Sequence, residues 1–127
     1  EAENYALIAP YVTALPNTTK VNMNTASAVL LASIDPKIDV QAVEQQLKAK
    51  QNELTYFNNV DDLWQLDAFA DLEEQSKTDA AALLDTTSDY FTAQIEVVLS
   101  ERKRQFSSAM SRKDRKVKVY SRSLAPF

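Results

Sequence analysis

An α+β fold, with a helical block followed by a three-stranded antiparallel sheet, is predicted by a change of hydrophobic period along the chain. Before Thr86-Thr87-Ser88 the apolar residues recur at helical spacing, as in Ala26, Val29, Leu30 and Ile34, between breakers such as Pro10, Pro16 and Asp35-Pro36. Beyond it they alternate: Phe91, Ala93, Ile95, Val97 and Leu99 point one way, with Tyr90, Thr92, Gln94 and Glu96 the other. Charge divides the chain at nearly the same place. Residues 1–89 hold 15 acidic and 5 basic side chains, whereas residues 90–127 hold 3 and 9. The reading is therefore two regions, 1–87 helical and 88–127 extended, one acidic and one basic.

The elements follow in order. A helical piece is expected before Pro10, and a short helix opens at Pro10, since proline is tolerated at the first helical position. Pro16 and Asn17-Thr18-Thr19 punctuate the chain, and residues 20–23 read as extended. Asn24 is expected to cap a helix over residues 25–34, its side chain taking an orphan N–H in an interaction worth about 1 kcal/mol. Asn22 is expected to brace the turn before it. After Asp35-Pro36, Asp39 caps a longer helix over residues 40–51, with Val40, Val43 and Leu47 on one face and Glu44 placed to pair with Lys48. Residues 54–59 connect. Short helices are predicted at 60–66, 68–74 and 79–84, the last capped by Thr78, with Trp64 and Phe69 filling the space between them.

The second and third strands are predicted over residues 104–110 and 116–122. They are joined around Ser100-Glu101-Arg102 and Arg112-Lys113-Asp114. In the third strand Val117 and Val119 face inward while Lys116, Lys118 and Arg122 face water. A three-stranded sheet with one apolar face has to be covered by something.

Three pieces of this sequence resemble a known family. They are Pro10-Tyr11-Val12-Thr13-Ala14-Leu15-Pro16 leading to Asn22, Asn24, Thr25 and Ala26; Phe57-Asn58-Asn59-Val60-Asp61-Asp62-Leu63; and Ser88-Asp89-Tyr90-Phe91 entering a long strand and a basic hairpin. In this order they resemble the minor pseudopilin K family of type II secretion. The resemblance implies that residues 1–87 form a SAM-like (helix-hairpin-helix-like) bundle and that residues 88–127 are the antiparallel sheet of a pilin-like domain. It implies a non-enzymatic subunit at the tip of a periplasmic pseudopilus, capping the filament or initiating its assembly for export across the outer membrane. The implied partners are the minor pseudopilins I and J, with the secretin or the exported protein as further contacts. Members of the family are anchored in the inner membrane by an N-terminal hydrophobic helix. Residues 1–9 are no such helix, so the chain is expected to be the C-terminal part of a longer protein. Calcium occurs in the family and stays open here, with no ligand assigned.

Composition narrows the chemistry. Histidine, cysteine and glycine are all absent from the 127 residues. That removes disulfides, thiolate nucleophiles, the usual zinc sites and the easiest general base. It also removes the glycine turns of P-loops and Rossmann folds. No nucleophile elbow or triad is recognisable, so no catalytic residue and no cofactor site is assigned. The acids Asp61, Asp62, Asp67, Asp71, Glu73 and Glu74 raise the question of a hydrolytic carboxylate pair or a metal, although they follow no EF-hand pattern. They equally suit the first turns of short helices.

The alternative is a DNA-binding or DNA-uptake module of helix-hairpin-helix type, which shares the Asn-Thr-Ala helix start. Such modules approach a phosphate through a glycine-containing hairpin. The corresponding place here reads Leu31-Ala32-Ser33-Ile34-Asp35, with an acid and no glycine. The surrounding block is acidic as well, so no nucleic-acid partner is expected. A protein interface is expected instead, with Tyr90, Phe91, Phe106, Tyr120 and Phe127 as its candidate anchors, because aromatic residues dominate interface hot spots. Each of them also suits core packing.

Overall fold

A computed structural model describes residues 2–16 and 18–124. The chain forms two compact units, Glu1–Thr87 and Ser88–Phe127.

The first unit is helical, with α1 (Ala2–Ile8), α2 (Ala28–Ala32), α3 (Val40–Asn52), α4 (Asp61–Trp64) and α5 (Glu74–Ala81), and 3₁₀ turns at Ala9–Tyr11 and Asp67–Phe69. Two short strands join its ends: β1 (Val21–Asn22) runs parallel to β2 (Leu84–Asp85), with Val21 N–H donating to Leu83 C=O at 2.8 Å and Met23 N–H to Asp85 C=O at 2.9 Å. The core is one cluster of Met23, Leu31, Ala32, Val43, Phe57, Leu63, Phe69, Ala80 and Leu84. Phe69 is completely buried and meets Trp64 edge-on, ring centroids 6.1 Å apart.

Several expectations change here. Helix α2 is shorter than predicted and its cap is Ser27, whose hydroxyl accepts from Leu30 N–H at 3.3 Å. Asn24 caps nothing. Its Oδ1 accepts from Phe57 N–H at 2.8 Å, and its Nδ2 donates to Phe57 C=O at 3.0 Å and Thr86 C=O at 3.2 Å. The asparagine thus closes a tertiary clamp over three segments, partners that no local pattern announces. Asn22 Oδ1 accepts from Asn24 N–H at 2.9 Å and holds the turn that aims it. Asp39 is the N-cap of α3, accepting from Gln41 N–H at 2.8 Å, and Lys48 pairs with Glu44 at 2.7 Å. The helix predicted at 79–84 lies earlier, as α5, and Thr78 sits inside it, donating to Glu74 C=O at 2.9 Å. The residues that follow α5 pass into β2, since Leu84 is needed opposite Val21.

One of the three family-like pieces acquires a physical basis. In Phe57-Asn58-Asn59-Val60-Asp61-Asp62-Leu63, Asn59 Oδ1 accepts from Asp62 N–H at 3.1 Å while Asp62 Oδ2 accepts from Asn59 N–H at 3.2 Å and Asn58 N–H at 2.7 Å. That reciprocal pair is a capping box for α4. Phe57, immediately before it, is buried and held by Asn24.

The second unit is the sheet, in the order β3 (Tyr90–Leu99), β4 (Arg102–Lys113), β5 (Lys116–Ser123), antiparallel throughout. Both hairpins turn on two residues, Ser100-Glu101 and Asp114-Arg115. The expected turns therefore move, and β4 extends further at both ends than predicted. Without glycine, Ser100, Asp114 and Arg115 take the positive φ that such turns require, at 55°, 51° and 63°.

Candidate protein-binding surface

The register of the sheet sorts its side chains into two unlike faces. On the first, Phe91 lies opposite Met110, Ile95 opposite Phe106 and Met110 opposite Val119, with Val97, Leu99 and Val117 completing an apolar stripe. On the second, Tyr90 lies opposite Ser111, Gln94 opposite Ser107 and Glu96 opposite Gln105. Among the described residues of this unit none is buried. Phe91 is 39%, Ile95 48% and Val97 48% exposed. The apolar face is partly exposed, with Phe106 and Met110 half-buried.

The cations divide by type. Arg102, Arg104, Arg112 and Arg122 share the apolar face; Lys103, Lys113, Lys116 and Lys118 lie on the polar one. Arg122 was expected to face away from Val117 and Val119. A bulge of β5 opposite Ala109 and Met110 inserts one residue, so every side chain after Tyr120 changes sides. Arginine is enriched and lysine depleted in protein interfaces, because the planar guanidinium is weakly hydrated and stacks on rings. Arg112 does so, its guanidinium 5.4 Å from the centre of the Phe91 ring, while its Nη2 donates to Ser88 C=O at 2.9 Å. On the polar face Glu96 accepts from Lys103 at 3.2 Å and from Gln105 at 3.1 Å, and the Lys103 contact above all holds its carboxyl below the usual range.

The candidate anchors are split by this arrangement. Phe91 and Phe106 belong to the apolar face. Tyr90 and Tyr120 belong to the other, edge-on to each other with ring centroids 6.4 Å apart. Phe127 lies outside the described residues. Sequence reasoning did not separate the arginines from the lysines or place them in a protein interface. Their alternation with the lysines along β4 was the available signal, in Arg102-Lys103-Arg104 and Arg112-Lys113.

In the helical unit three of the acids, Asp62, Glu73 and Glu74, are engaged by neighbouring groups. Asp62 is held below its usual value by the N–H groups of Asn58 and Asn59, the opposite of the raised carboxyl a general acid needs. Glu73 and Glu74 face Lys37 at 3.9 Å and Lys77 at 2.8 Å. At the hairpin between α2 and α3, Asp35 Oδ1 accepts from Lys37 N–H at 2.8 Å, which puts a carboxylate where a phosphate would have to approach. A groove of about 380 Å³ opens beside α2 and α5, lined by Leu30, Ile34, Ala80 and Leu83 with Ser33, Ser76 and Asp79 at its edges. Its lining suits an apolar side chain. No helix of the described residues is long and apolar enough to cross a membrane.

Residues 21–87 match the family model of the type II secretion system (T2SS), protein K. The chain belongs to the protein K family. That family is a structural component of a secretion system rather than a family of enzymes. All the buried residues among those described, from Met23 to Leu84, fall inside the protein K match, so the family signature is in large part the signature of one core. Among solved structures, a chain of the GspK-GspI-GspJ complex from the type 2 secretion system of enterotoxigenic Escherichia coli shares the fold, with a TM-score of 0.69 at 20% identity over 100% of this chain. This chain spans 44% of the length of that one. No curated protein matches.

Proposed function

We propose that this chain acts as part of a non-enzymatic minor pseudopilin at the tip of the type II secretion pseudopilus, in complex with the minor pseudopilins I and J. The protein K match over the helical core carries the reading, and a solved chain of the GspK-GspI-GspJ complex with the same fold supports it. On this reading the chain is the C-terminal part of a longer protein held at the periplasmic face of the inner membrane. Residues 1–87 are its SAM-like domain and cap the filament by bulk, or initiate its assembly. Residues 88–127 belong to a pilin-like domain. The partly exposed apolar face of the sheet, rimmed by arginines, suits a function of assembly: it offers area and directed charge.

Light scattering on size-exclusion peaks of this chain, together with its native N-terminal periplasmic segment, mixed with soluble pseudopilins I and J is the test. A stable one-to-one-to-one species is expected. Separate elution, with the chain instead shifting duplex DNA at moderate salt, would replace this reading with the helix-hairpin-helix one.

A further inference from the structure

The lysines on the polar face of the sheet have two unlike surroundings. At one end Lys103 donates to the Glu96 carboxylate at 3.2 Å, a cation matched within its own sheet. At the other, Lys113 of β4 lies directly opposite Lys116 of β5, and Lys118 follows on the same face, opposite Ser111. All three are exposed, and among the described residues no carboxylate lies in ion-pair range of them. The turn between the strands adds one charge of each sign, Asp114 and Arg115. The hairpin end therefore keeps three positive charges.

Like charges directly opposite each other weaken a ladder. Lysine on an outer strand guards against the addition of a further strand, which accounts for Lys116 and Lys118. It does not account for Lys113, because β4 is the central strand. A neutral side chain there, like Ser111 opposite Lys118, would remove the repulsion. The fold gains nothing from the pair, so the reason for it lies outside the fold.

The neighbouring side chains narrow the kind of partner. Beside the lysines stand Ser111 and the edge-on rings of Tyr90 and Tyr120, with no aliphatic side chain among them to enter a bilayer. No arginine shares this face to grip a phosphate in two places. Lys116 and Lys118 are about 7 Å apart along the strand, close to the spacing of carboxylates on one face of a partner's strand. Lysine is strongly hydrated, so it suits a rim that guides approach better than a dry centre.

We propose that Lys113, Lys116 and Lys118 receive a carboxylate-bearing surface of another protein of the pseudopilus tip and steer its approach. This deepens the assembly reading and rests on it: the partner is pseudopilin I or J, and one copy of this chain is enough.

Charge reversal separates a binding role from a structural one. In the chain with its native N-terminal periplasmic segment, Lys116→Glu sets a carboxylate opposite Lys113 and is expected to raise the thermal midpoint. The same variant is expected to slow association with soluble pseudopilins I and J about tenfold at low salt, to leave dissociation within about twofold and to flatten the salt dependence of the association rate. Lys20→Glu, which reverses an exposed lysine of the acidic unit, is expected to leave the rate within about twofold. A complex that forms as fast with Lys116→Glu as with the parent would overturn the proposal and leave the assembly reading in place, whereas a parent that forms no complex would remove both. Equal slowing by Lys20→Glu would overturn it too, since net charge alone would then govern the rate. So would a lowered thermal midpoint for Lys116→Glu, which would mean that a segment of the same protein already neutralises the lysines. Unchanged association with loss of binding to phosphatidylglycerol vesicles would overturn it by assigning the lysines to a lipid headgroup.

Discussion

The side-chain amide of Asn24 does the work of a strand neighbour for Phe57, accepting from its N–H and donating to its C=O, and donates also to Thr86 C=O. Asn24→Ala is expected to lower stability by about 2–3 kcal/mol, because the partly buried backbone groups of two other segments lose their partner; a urea unfolding midpoint measures it. Asn24→Asp is expected to cost more, since its carboxylate would face two carbonyl oxygens. The sequence pointed at this residue but not at its job. A cap is a contact over three residues, whereas these bonds span 33 and 62, beyond the reach of local pattern. Leu54 is the converse case. It ends α3 in the left-handed region, φ 55°, with Thr55 N–H returning to Lys50 C=O at 2.9 Å, the place glycine usually takes. Leu54→Gly is expected to raise stability by up to about 1 kcal/mol, since its 77% exposed side chain gives little in return for the strain.

Elements with many repeats of one period were legible: the 13 residues of α3 and the ten of β3 sit close to where periodicity puts them. Short elements were not. The β1–β2 bridge is two residues per strand and has no period to detect, and Leu83 and Leu84 after α5 mimicked a continuing helix. The bulge in β5 was invisible for a related reason, since one inserted residue alters pairing without altering composition. The capping box of α4 gives a pH signature. The carboxyl of Asp62 is depressed below its ordinary 3.8 by the Asn58 and Asn59 N–H groups, so its contribution is whole above that value and is lost as pH falls through the lowered folded one. Urea midpoints of the parent and of Asp62→Ala are expected to differ at pH 6 and to converge as pH is taken below 3.8. In the β4–β5 hairpin, replacing Asp114-Arg115 by Asn-Gly is expected to stabilise the turn by about 1 kcal/mol, since both positions have positive φ; strand amide exchange reads it.

At the scale of the molecule, the buried residues among those described all lie in the helical unit, and the sheet holds a partly exposed apolar face. Hydrogen exchange is expected to show slow amides in α3 and around Phe69. Phe69→Ala is expected to cost about 3–5 kcal/mol. Composition and charge revealed the division of the chain because each unit has its own chemistry. The segregation of arginine and lysine across the sheet has a practical corollary. An amine-reactive ester should label one side of the sheet and an arginine-selective dicarbonyl the other, so two reagents without any mutation would map which side a bound protein shields.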